Sequence, residues 1–211
     1  MRERRRTWTI GGIGLVACGV LGMLSSTFLV TSGGPALATV TGVIYAASVL
    51  LFAVGTTAEA SIVARRPLGV TTLAIVAVWP LVDRLAVSLL PQDGSSLGAW
   101  TTYGYVTLII QTGAALVAAM QIARAGIVPG PCHRAPMWVL GFQAFAWAVP
   151  QIIAVSVGPA EIQRWADLYV LMGALPALVG PLGLGILALV LAAQQRPQSL
   201  EVFRSERAPA P

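Results

Sequence analysis

Lysine is missing from this chain: all thirteen basic residues are arginine. Charge of either sign is scarce. Only 10% of the 211 residues are charged, against about 25% in a soluble globular domain. That leaves too little polar surface to solvate a water-soluble fold. There is one histidine, His133, and there are two cysteines, Cys18 and Cys132. A single histidine excludes bis-histidine haem ligation, and no Cys-x-x-Cys pair occurs. Cys132-His133 offers two adjacent ligands and no second pair, too few for a structural zinc site. Walker-type loops are missing. A serine nucleophile needs a base, and His133 falls at a different depth from Ser25 and Ser26. No two carboxylates fall at matched depth, which argues against a carboxylate dyad. No recognisable catalytic constellation remains, and neither a cofactor nor a metal is implied.

What is present is apolar. Hydrophobic residues make up 56% of the chain and the mean hydropathy is +0.80. Runs of about 20 apolar residues mark bilayer spans. Six such runs predict an all-α integral membrane protein, a bundle of six transmembrane helices. The expected spans are about 8–30, 36–58, 68–90, 99–122, 137–157 and 168–192. They form one membrane domain over residues 1–193, and the polar tail 194–211 is expected to be disordered. The basic start and the following apolar run superficially resemble a secretory signal, with Arg5-Arg6 as a twin-arginine pair. The run is longer than the 7–15 residues of a signal core, and more membrane follows it. It reads as the first helix.

Arginine sets the orientation. With six spans, Arg2, Arg4, Arg5, Arg6, Arg65, Arg66, Arg124, Arg134, Arg196, Arg204 and Arg207 fall on one side, and only Arg164 on the other. By the positive-inside rule both termini are expected in the cytoplasm. Arginine without lysine, beside abundant Ala, Gly and Pro, is the composition of a GC-rich bacterial genome, so the expected location is a bacterial cytoplasmic membrane. The net charge of +5 is topology signal and contact with the lipid bilayer, not a nucleic-acid surface.

One span carries charge well inside. Trp79-Pro80-Leu81-Val82-Asp83-Arg84 lies within the third apolar run. At 1.5 Å per residue, Asp83 and Arg84 sit roughly 6–8 Å outside the midplane. Gln111 falls near the middle of the fourth span, with Thr107 and Tyr103 progressively outward on the same face. Gln151, beside Pro150, falls in the outer half of the fifth span. Asp83, Arg84, Tyr103, Thr107, Gln111 and Gln151 are therefore the candidate binding residues. Each charge costs about 2.5–3.5 kcal/mol at a helix centre and less off it. Adjacent residues point about 100° apart, so Asp83 and Arg84 need separate partners. Arg84 is long enough to snorkel to the interface, whereas Asp83 is not. A structural role as helix glue and a functional polar site both remain open.

Two stripes of small residues repeat every four positions: Gly14, Cys18, Gly22 and Ser26 in the first span, and Gly173, Ala177, Pro181 and Gly185 in the sixth. Such faces allow close helix contact, within the chain, with a membrane-protein partner or in a homo-oligomer. Pro80 and Pro181 occupy similar places in the third and sixth spans, a faint echo of an inverted repeat. Two functions follow as expectations: a small transporter or transport-system subunit with an outer-half polar site, or a non-catalytic membrane interaction protein. A membrane enzyme acting on lipid has only the polar cluster in its favour.

Overall fold

A computed structural model describes residues 2–27, 34–57, 60–90, 97–128, 130–157 and 178–194, with positions 168, 171, 172 and 175 between the last two stretches. Helix α1 runs Arg2–Thr27, α2 Gly34–Val54, α3 Pro67–Leu89, α4 Leu97–Ala125 and α5 Ala135–Val157. A 3₁₀ turn, Gly130–Arg134, precedes α5, and a π-helical turn, Val179–Gly183, leads into α6, Leu184–Gln194. No strand occurs among the described residues. Five helices are long and apolar enough to cross a membrane, and Val179–Gln194 is a shorter apolar helix. The chain is a multi-pass six-helix bundle. The tail beyond Gln194, together with Gly173 and Ala177, lies outside the described residues.

Helix α1 starts at Arg2, so the basic cap is itself helical. Its small residues decide its neighbours. A Cβ on Gly12 would lie 3.1 Å from the Gly185 carbonyl, and one on Gly185 would lie 2.9 Å from the Gly12 carbonyl. These two glycines let α1 and α6 touch backbone to backbone. Gly14 abuts Ser48 of α2, and the buried Cys18 thiol points to the Thr41 carbonyl at 3.6 Å. Further along the expected stripe, a Cβ added at Gly22, which is itself half-buried, would meet open space among the described residues. The side chain of Ser26 is outside the described residues. Gly12, which the four-residue spacing did not single out, is where α1 meets the backbone of α6.

The two prolines do not match. Helix α3 stays α-helical through Pro80, whereas Pro181 sits in the π-turn. A proline clashes with the carbonyl four residues back, and a wider turn relieves that clash.

Burial is uneven along the bundle. Trp8, Phe52, Ala53, Val63, Ile122, Leu191 and Ala192 form the core at the arginine-rich end. In α3 the buried residues are Gly69, Thr72, Leu73 and Ala77, all in its first half. Helix α5 is the least enclosed, with 6% of its apolar window buried, against 39% for α1 and α2. The bundle is tight at one end and looser at the other, where Asp83 lies.

The tight end is held by polar contacts. Helix α2 stops at Val54, short of the expected 58, because Gly55 turns left-handed at φ 62°. The chain then folds back under the bundle. Trp8 Nε1 donates to the Ala60 carbonyl at 3.1 Å, and the Trp8 ring meets Phe52 edge-on at 6.5 Å. Arg4 lies over Trp8 at 5.1 Å and donates to the Ile127 carbonyl at 2.7 Å. Ser61 Oγ donates to the Ala53 carbonyl at 2.6 Å. Arg65 donates from Nε to Val54 O at 2.9 Å and from Nη2 to Gly55 O at 3.2 Å. A cation placed on the terminal carbonyls of α2 complements the negative end of its dipole.

Candidate functional site

Helices α3 and α4 run antiparallel, so equal heights pair late residues of one with early residues of the other. Asp83 and Tyr103 meet in this way. The Tyr103 hydroxyl donates to Asp83 Oδ1 at 2.6 Å and also approaches the Asp83 carbonyl at 3.3 Å. Both residues are half-buried. A phenol donating to a carboxylate at this distance is a charge-assisted bond, among the stronger kinds available to a side chain.

One helical turn from the pair, toward the arginine-rich end, stand Trp79 on α3 and Thr107 on α4. Trp79 Nε1 and Thr107 Oγ1 are both buried and have no hydrogen-bond partner among the described residues. The indole can only donate; the hydroxyl can donate or accept. The seam therefore holds one carboxylate fixed by one phenol, flanked by a donor and a hydroxyl whose capacity is unmet. Two helices bound together for stability alone need only the first of these contacts. The unmet groups leave room for a bridging water or a small polar ligand.

The structure separates the other candidates from this seam. Arg84 is exposed. Gln111 is half-buried two turns further along α4 and does not bond to Asp83 or Tyr103; Gln151 is exposed on α5. Gln111 shares a helix face with Tyr103 and Thr107 but sits two turns deeper, whereas Gln151 shares only an approximate depth, which says nothing of which way a side chain faces. Trp79 belongs to the site although the spacing alone did not put it there. Its position four residues before Asp83 places it on the same face, which is the signal available in the sequence. Among the described residues no group of three or more His, Cys, Asp or Glu gathers to hold a metal ion.

Two hollows lie elsewhere. One, of about 510 Å³, is lined by Val54, Arg65, Pro67, Val70 and Thr71 between the end of α2 and the start of α3. The other, of about 430 Å³, lies between α5 and the start of α6, with Cys132, Trp138, Val179 and Leu184 among its walls.

The chain matches no family model, no curated protein and no solved structure.

Proposed function

We propose that the chain is a small transport protein of a bacterial cytoplasmic membrane, or the membrane subunit of a transport system, working through a polar seam between α3 and α4. Its termini lie in the cytoplasm, and the seam lies in the outer half of the bilayer. The observation that carries this reading is Asp83: its carboxylate is held by Tyr103 beside the unmatched Trp79 Nε1 and Thr107 Oγ1. An ionisable residue inside a span is costly, and such residues concentrate on substrate and ion pathways. The looser packing of α3 beyond Ala77 supports access from the outer side. The arginine asymmetry supports the orientation.

The test is charge displacement by the full chain reconstituted in liposomes on a solid-supported membrane, challenged in turn with protons, Na⁺, K⁺ and amino acids. The wild type should give a transient with at least one of them. Asp83→Asn should abolish it while reaching the same yield and thermal midpoint. If no challenge moves charge in the wild type, or if Asp83→Asn transports normally, the reading is wrong.

A second reading, a non-catalytic membrane interaction protein, is favoured by α5. It leaves Trp138, Phe145, Trp147 and Ile152 exposed, with Trp138 78% accessible. Gly141 on the same helix has nothing within 4 Å. Gly141→Leu should then disrupt a crosslinked complex in the membrane without affecting the fold; an unchanged crosslinking pattern would dismiss this alternative.

A further inference from the structure

The hollow at the arginine-rich end has walls of two kinds. Val54 closes α2 on one side, and Pro67, Val70 and Thr71 open α3 on the other. These are the ends of two membrane-crossing helices, so the hollow lies where hydrocarbon gives way to headgroups. Arg65 is its basic wall. Its guanidinium is fixed there by the Val54 and Gly55 carbonyls. Ala64 and Arg65 adopt φ 51° and 52°, a left-handed backbone that residues with a Cβ rarely hold. That turn brings the Arg65 side chain back against α2 at the hollow. Arg66, next in the chain and exposed, stands immediately before Pro67.

We propose that this hollow binds one anionic phospholipid, its phosphate against Arg65 and Arg66 and the upper part of an acyl chain against Val54, Pro67 and Val70. Charge complementarity selects the occupant. Apolar walls alone accept any lipid tail, but the Arg65 guanidinium in the wall, with a second arginine next to it in the chain, favours a lipid with net negative charge over a zwitterion. Basic recesses between membrane helices are recognised sites for anionic headgroups. Arg65 is held by carbonyls before any lipid arrives, so little side-chain freedom is lost on binding. The hollow between α5 and α6 has no charged residue in its lining and carries no such preference.

The experiment is native mass spectrometry of the full-length protein released from micelles. The micelles contain either phosphatidylglycerol or phosphatidylcholine with the same acyl chains. The wild type should retain phosphatidylglycerol roughly 30-fold better than phosphatidylcholine, the preference expected from two arginines near an anionic headgroup at about fivefold each. Arg66→Gln should lower that ratio to about fivefold, the share left to Arg65. Thr71→Trp, at an exposed position of the wall, should fill the hollow and reduce retention of both lipids. Arg124→Gln, an exposed arginine on α4 outside the hollow, should leave the ratio unchanged. Equal retention of the two lipids by the wild type would overturn the proposal. So would an unchanged ratio in Arg66→Gln, or an equal loss in Arg124→Gln, which would indicate diffuse charge. Displacement of the lipid by millimolar inorganic phosphate would identify free phosphate as the ligand and overturn it too.

Discussion

Replacing Tyr103 with phenylalanine removes one oxygen and leaves the ring where it was. That oxygen sits 2.6 Å from Asp83 Oδ1, so the substitution strips the carboxylate of its donor with little change in packing. In water-soluble proteins a hydrogen bond to a charged group contributes about 1.5–3 kcal/mol. Between membrane helices the measured values are smaller, about 0.6 kcal/mol on average and at most about 1.7, because the separated helices find other partners in the bilayer. Asp83 is half-buried, and the bond is charge-assisted, so Tyr103→Phe should cost about 1–1.5 kcal/mol, near the upper part of the membrane range. The same change in an Asp83→Leu background should cost less than about 0.3 kcal/mol, because the acceptor is already gone and the residual coupling should be negligible. The assay is equilibrium unfolding of the purified chain by sodium dodecyl sulfate in mixed micelles, followed by far-ultraviolet circular dichroism. An equal cost in the two backgrounds would show that Tyr103 acts through packing and not through Asp83, and the account of the seam would be refuted.

Three further outcomes follow from contacts elsewhere. Gly185→Leu should destabilise the bundle by about 2 kcal/mol or more in the same assay, since a Cβ there already meets Gly12 O and Val16 N at 2.9 Å; Gly22→Ala should stay within about 0.5 kcal/mol of wild type, because a Cβ added at Gly22 would meet nothing within 4 Å. Ala64→Gly should raise stability by about 0.5–1 kcal/mol, since Ala64 is exposed and left-handed; a lower thermal midpoint would count against that reading. A membrane-impermeant maleimide should label Cys132 in inside-out vesicles and not in intact cells, while the buried Cys18 stays unlabelled; labelling of Cys132 in intact cells would reverse the orientation.

The Asp83–Tyr103 meeting shows how far sequence reasoning reaches in a membrane protein. Depth along a span is linear in residue number, so Asp83, Tyr103 and Thr107 could be brought to neighbouring heights without coordinates. Azimuth is different. The rotation of each helix about its axis is set by all of its contacts together. Gln151 therefore shared the argument from depth without meeting Asp83, while Gln111, on the face of Tyr103 and Thr107, lies two turns deeper. The small residues teach the same lesson. A spacing of four marks a face, but only the neighbouring helix decides how closely that face is approached: Gly14 and Cys18 meet α2, while a Cβ added at Gly22 would find open space. The backbone contact with α6 uses Gly12, off the stripe by two residues.

What the sequence by itself determined is what depends on local composition: an all-helical multi-pass membrane fold of six helices, and the clustering of arginine at particular helix ends. Each follows from the transfer of a contiguous segment into hydrocarbon, which the segment's own residues decide. What the tertiary structure decided is which residues touch. It joined Tyr103 to Asp83, placed Trp79 and Thr107 beside them with unmet hydrogen-bonding groups, and separated Arg84. It also set Ala60 against Trp8 and opened a hollow beside Arg65. Those outcomes depend on residues tens of positions apart meeting across helices, and helix rotation and tilt are properties of the assembled bundle.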